Sequence, residues 1–218
     1  MKAKINIEKL QKYVNDHNEI VCVISFLSTL LFAVFNRVIG AVQGSIWHES
    51  ISIYYFALAS IKAFLTFYPT KSKRENRVEI VNKTIKGCLI ALNLLLIVPI
   101  VLLLLHRRAV SISMWPSIGI AFYVTVKTTV TIIRFVKRKN NESVVVRARS
   151  TIELMDVVVS ILTLQNTLIA VNGGETDMGL YYFTIIASAV GFCINILWTV
   201  MFWSKKQNVT EKPSNPQN

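Results

Sequence analysis

The sequence predicts an all-α fold: a polytopic membrane protein built as a bundle of six transmembrane helices, with both termini in the cytoplasm. Of the 218 residues, 53% are hydrophobic and only 17% are charged, and the mean hydropathy is +0.48. These values lie outside the usual range of soluble domains. The apolar residues also fall into six blocks of roughly 20 residues, the length that a helix needs to cross a bilayer. The basic residues cluster in every second connection between the blocks.

The first two blocks, 20–42 and 46–68, are separated by three residues, 43–45, so an antiparallel hairpin is expected. Small and weakly polar side chains recur at helical spacing in the first block, which favours close packing of two helix backbones. Residues 1–19 mix apolar side chains with lysines and predict a cytoplasmic amphipathic segment at the membrane surface, or else a disordered basic leader. The small and weakly polar positions are Ser25, Thr29, Ala33, Asn36, Gly40 and Gly44.

The third block, 85–105, is the most uniformly apolar, so we expect it to be the most lipid-exposed helix. The fourth block, 114–136, carries a polar face. The sixth block, 180–203, repeats a stripe of small and polar residues, and the tail 204–218 is predicted to be disordered. The polar face of the fourth block consists of Tyr123, Lys127, Thr131 and Arg134.

The fifth block, 152–171, predicts the central helix of a transmembrane domain that spans 20–203. Six polar side chains in and just before it follow steps of three and four, so they share one helical face. A membrane-spanning helix with two carboxylates on one face needs neighbouring helices or a water-filled cavity to cover them. The six are Arg149, Glu153, Asp156, Ser160, Thr163 and Thr167.

Four charged residues are predicted at similar depth in the inner half of the membrane. Lys127 lies roughly 13 Å and Lys62 about 10 Å from the inner boundary, at 1.5 Å per residue. Because buried charges are costly alone, at least one of these lysines is expected to contact an acid of the fifth helix. The pattern leaves two interpretations open: a polar cavity that binds a small ion or solute, or a neutralised structural network. The candidate site residues are Lys62, Lys127, Glu153, Asp156, Ser160 and Asn195.

The formal net charge of +12 reflects topology. Lysines and arginines concentrate before the first block, after the second, fourth and sixth, and are sparse elsewhere, which places both termini inside. Nucleic-acid binding is therefore not expected. The expected partners are the bilayer, anionic lipids at the cytoplasmic face, and either a second copy of the chain or another membrane protein.

No sequence motif of an enzyme or a cofactor site is recognisable, so we expect a protein that is not an enzyme and has no cofactor. No metal site is expected either, because His48, Glu49 and His106 near the outer boundary lack a ligand spacing. The favoured function is that of a transporter-like protein for a small ion or solute. The alternative is a non-transporting accessory or structural membrane protein that packs against a partner.

The segment 87–173 contains the apolar third block, the run 106–108 (HRR), the fourth block with its tyrosine and threonines, a basic loop, and the run 160–168 (SILTLQNTL). In these features it resembles an uncharacterised family of six-helix membrane proteins of Gram-positive bacteria. This resemblance implies a multi-pass protein of the bacterial plasma membrane and brings no specific activity.

The layout is also remotely similar to the transmembrane part of cation diffusion facilitators, in its six helices, tight first hairpin and basic loop before the fifth helix. That family builds a metal site from acids or histidines four residues apart on helices 2 and 5. Here Asp156 matches one such position, but Ile152 stands at its partner position. Tyr54 and Leu58 occupy the corresponding part of helix 2. The resemblance therefore implies a shared fold without the metal site.

Overall fold

The protein, seen here as a computed structural model, is described over residues 2–67, 75–105, 113–136, 144–171 and 178–204. Every regular element in these ranges is an α-helix, which confirms the all-α prediction. The helices are α1 (Lys2–Gln43), α2 (Ile46–Phe67), α3 (Glu75–Leu105), α4 (Met114–Val136), α5 (Val144–Val171) and α6 (Met178–Ser204).

Five of these helices are long and apolar enough to cross a membrane, namely all except α2. The exception follows from composition, because α2 carries His48, Glu49 and Lys62 together with several serines. Much of this helix faces other helices, and the side chains of Ile51 and Tyr55 have no exposed surface. Of its polar side chains, His48 and Lys62 are buried, whereas Glu49 is half exposed.

α1 is one continuous helix of 42 residues. The predicted amphipathic segment 1–19 is therefore the beginning of α1 rather than a separate element, and its side chains lie outside the described residues. The predicted disordered tail also lies outside them beyond residue 204.

The hairpin of α1 and α2 is confirmed. Gly44 adopts a φ of 67°, the left-handed conformation that glycine tolerates best. The amide of Ser45 donates to the carbonyl of Gly40 at 3.1 Å. A Cβ atom on Gly40 would lie 2.7 Å from the backbone nitrogen of Glu49, so only glycine permits this close approach of the two helices.

α5 occupies the centre of the bundle, as predicted, and packs against α2, α3, α4 and α6. Half of its apolar span is buried (50%), whereas only 17% of the α4 span and 28% of the α3 span are. The expectation that the third helix is the most exposed is therefore wrong. α3 packs against three helices, while α4 packs extensively against α5 alone among the described residues.

Candidate functional site: the buried charge cluster

Asp156 is the centre of a charge cluster inside the bundle. Its side chain, on α5, has no exposed surface. Lys62 of α2 donates to Oδ2 at 2.5 Å, and Lys127 of α4 donates to Oδ1. The predicted contact between a buried lysine and an acid of the fifth helix is thus confirmed, and one carboxylate serves both lysines.

Lys62 has three hydrogen-bond acceptors around its ammonium group. Besides Asp156, these are Ser25 Oγ at 3.1 Å and Thr29 Oγ1 at 2.9 Å, both on α1. Thr29 in turn lies 3.1 Å from Asp156 Oδ2. Because an ammonium group has three donors, Lys62 is fully satisfied. The first helix was predicted to pack through a face of small and weakly polar residues. This face therefore also supplies hydroxyl groups that accept hydrogen bonds from Lys62.

Lys127 is held by one carboxylate, one hydroxyl and three aromatic rings. Its ammonium donates to Asp156 and to Ser160 Oγ at 3.0 Å. The rings of Tyr123, Tyr55 and Phe32 surround it, with centroids 4.9, 5.5 and 5.8 Å from the nitrogen. Ring faces attract a cation most strongly where water is excluded, so this cage stabilises the charge of the largely buried Lys127. Sequence reasoning did not identify the cage, since its rings come from three different helices.

Glu153 pairs with Arg134 rather than with either lysine. The guanidinium Nη1 of Arg134 donates to Glu153 Oε1 at 3.3 Å, and both side chains are partly exposed. Arg134 lies two helical turns beyond Lys127 on the predicted polar face of α4. The sequence placed Arg134 on this face but did not include it among the candidate site residues, although the periodicity was a signal that could have done so.

A cavity of about 280 Å³ lies beside the cluster, between α1 and α4. The sequence predicted two cations and two anions here. Arg134 also lines the cavity, so three cationic and two anionic side chains surround it. The lining side chains are Ile24, Ser25, Ser28, Lys62, Phe122, Tyr123, Val126, Lys127, Val130, Thr131, Arg134, Glu153 and Asp156.

Two predicted site residues do not line this cavity. Ser160 is buried behind the cluster, where it accepts from Lys127 and from the hydroxyl of Tyr55 at 3.0 Å. Asn195 of α6 is buried elsewhere and donates its amide to the carbonyl of Gly191 at 3.2 Å. Ser160 therefore positions Lys127, whereas Asn195 belongs to the packing of α6.

His48 is engaged by hydroxyl groups on both sides of its ring. Nδ1 lies 2.9 Å from Ser45 Oγ, and Nε2 lies 3.1 Å from Thr167 Oγ1 on α5. Since both nitrogens are occupied, the ring connects α2 to α5. His106 lies outside the described residues.

The cluster can therefore hold a positive excess of charge next to a cavity inside the bundle. Comparison with known proteins supplies no family for this arrangement, because no protein-family model, characterised protein or solved structure matches the chain.

Proposed function

We propose that this protein is a transporter-like membrane protein that binds a small ion or solute in the cavity between α1 and α4. The observation that carries the proposal is the position of the cavity, which reaches Lys62, Lys127 and Asp156 at the centre of the bundle. A purely structural ion network gains nothing from empty space beside it, because each unfilled volume forfeits packing contacts. A binding site, in contrast, requires a concave space with a few convergent polar groups.

The proposal includes α2 as a sixth span, with both termini in the cytoplasm of a bacterial cell. α2 has 22 residues, which corresponds to about 33 Å of helix, enough to cross the hydrocarbon layer. Its polar side chains do not oppose this, since Lys62 and His48 are buried against other helices and hydrogen-bonded. The basic residues at alternate connections support the orientation.

The alternative role is that of an accessory membrane protein, and the completeness of the hydrogen bonding favours it. Both carboxylate oxygens of Asp156 are occupied by lysines, so the inner cluster is satisfied without a ligand. In this case a partner helix would fill the cavity, and water-soluble molecules would not enter it.

Thiol accessibility separates the two roles. The background lacks the three natural cysteines, Cys22, Cys88 and Cys193. Single cysteines are then introduced by Ser28→Cys and Thr131→Cys, which line the cavity, and a membrane-impermeant thiol reagent is added from the cytoplasmic side.

The matched control is Thr163→Cys, because Thr163 is fully buried on α5 and outside the cavity lining. We expect modification at positions 28 and 131 and protection at position 163. Protection at all three positions would contradict the transporter-like role and favour the accessory one.

A further inference from the structure

The cavity between α1 and α4 is open along one side of the bundle. Over the described residues these two helices are not a closely packed pair. They meet where the ring of Phe32 stacks on that of Tyr123, with centroids 4.3 Å apart. The cavity reaches from this stack toward the beginning of α1 and the end of α4. The space between the two helices therefore continues to the surface of the bundle.

The rim of the cavity on this side is apolar. Phe122 on α4 is 74% exposed and Ile24 on α1 is 57% exposed, and Val126 and Val130 are exposed between them. All four also line the cavity. A lipid chain lying against this rim would be in continuous contact with the cavity.

The floor of the cavity is polar and carries one more positive than negative charge. Lys62 uses its three donors within the cluster, so the groups with remaining capacity are Lys127 and Arg134. Arg134 has five donors, and among the described residues its one hydrogen-bond partner is Glu153. A guanidinium that spends only one donor on the described part of the chain, near a buried ammonium, is suited to an oxyanion.

We infer that the ligand of this cavity is a monoanionic amphiphile, an alkyl chain with a single carboxylate or phosphate head group. This inference rests on the proposed function and names its substrate class. The head group contacts Arg134, and the chain follows the apolar rim past Val130 and Val126 toward Phe122. The excess charge of the cavity then neutralises the head group, which accounts for a charge that the described side chains around the cavity leave uncompensated.

The dimensions agree with this class of ligand. Twelve residues separate Phe122 from Arg134 on α4, which corresponds to about 18 Å along the helix axis. This is the length of an alkyl chain rather than of an inorganic anion. Arg134 lies in the last turn of α4 and Phe122 near the middle of that helix, so a head group at Arg134 would lie toward the end of α4.

Photolabelling of the full chain in phosphatidylcholine vesicles tests the inference. The probe is a long-chain fatty acid with a diazirine on its alkyl chain, and the reference probe is the fatty alcohol with the same diazirine. We expect the acid to label α1 and α4 about tenfold more than the alcohol, the ratio that one charge-assisted contact would produce. Competition with unlabelled fatty acid, phosphatidylglycerol or inorganic phosphate then identifies which source of the anionic group binds.

Two variant pairs locate the site. Val126→Trp fills the cavity, whereas Ile132→Trp places the same side chain at an exposed position of α4 that does not line it. Arg134→Gln removes the proposed head-group contact, whereas Lys86→Gln removes a cation of α3 outside the cavity. We expect Val126→Trp and Arg134→Gln to abolish the preference for the acid, and both controls to retain it.

Equal labelling by acid and alcohol, or labelling that Val126→Trp leaves unchanged, would overturn the inference. Competition by inorganic phosphate alone would also overturn it, because a bare anion would then suffice. These outcomes are distinct from failure of the proposed function, since thiol access at positions 28 and 131 would persist in each of them. Loss of that access would overturn both.

Discussion

Lys127 of α4 and Asp156 of α5 form an ion pair inside the bundle, with side-chain exposures of 11% and 0%. Charges at such depth are stable only when they are paired and hydrogen-bonded. The pair is not isolated, because Lys62 shares the same carboxylate. One acid therefore pairs with two cations. Loss of the acid and loss of one cation should for this reason differ in their effect on stability.

Removal of the acid should destabilise the protein more than removal of either cation. Asp156→Asn leaves two buried ammonium groups without a counter-ion, so we expect the free energy of unfolding to fall by about 3–5 kcal/mol. Lys62→Met leaves the neutral pair of Lys127 and Asp156, and we expect a loss of about 1–3 kcal/mol. Unfolding of the purified variants in detergent measures both. A larger effect of Lys62→Met would contradict the shared-carboxylate arrangement.

The exposed ion pair near the first hairpin should behave differently. Arg37 and Glu49 pair with side-chain exposures of 51% and 49%. Solvent-exposed pairs contribute about 0–1 kcal/mol, so Glu49→Gln should change the free energy of unfolding by no more than this. A loss comparable to that of Asp156→Asn would show that the hairpin end is enclosed by something other than solvent.

The aromatic cage predicts that two substitutions of Tyr123 differ in stability. Tyr123→Phe retains the ring face over Lys127 and loses only the hydroxyl, which lies 3.3 Å from the carbonyl of Ser28. Tyr123→Leu also loses the ring, and we expect it to be less stable than the phenylalanine variant by about 0.5–2 kcal/mol. Phe122→Leu, at the exposed neighbouring position, is the control and should have a smaller effect. Equal stability of the two Tyr123 variants would argue against the cage.

The close approach of α1 and α2 predicts intolerance of a single methyl group. Gly40→Ala places a Cβ 2.7 Å from the backbone of Glu49, where no side chain can move aside. We expect a loss of about 1–3 kcal/mol from this overpacking. Gly87→Ala on α3 meets nothing within 4 Å and should stabilise its helix by about 0.5–1 kcal/mol. Similar stabilities of the two alanine variants would contradict the helix contact at Gly40.

Helical periodicity predicted the enclosed part of the site. The steps of three and four along the fifth block placed Asp156, Ser160 and Thr163 on one face, and all three side chains are fully buried. The depth of Lys62 and Lys127, read from helical rise alone, predicted that they would pair with an acid. Both inferences need only the geometry of one helix at a time.

The predictions that failed depend on which helices are neighbours. The uniformly apolar third block predicted a helix that faces lipid. The helices around α3 nevertheless bury a larger share of its span than is buried of the α4 span. The predicted set of two cations and two anions was incomplete, because it omitted Arg134 of α4, which pairs with Glu153 of α5. Asn195 was assigned to the cluster from depth alone, although α6 orients it toward its own backbone. Depth is readable from a sequence, whereas the rotation of one helix against another is not.

We propose that solutes reach the buried cluster through the space between α1 and α4. The most direct measurement is the rate of thiol modification at Ser28→Cys, compared in the presence of Val126→Trp and of Ile132→Trp. We predict that Val126→Trp slows the reaction by on the order of tenfold, equivalent to a barrier increase of about 1.4 kcal/mol, and that Ile132→Trp leaves it unchanged. Equal rates in the two backgrounds would contradict the claim.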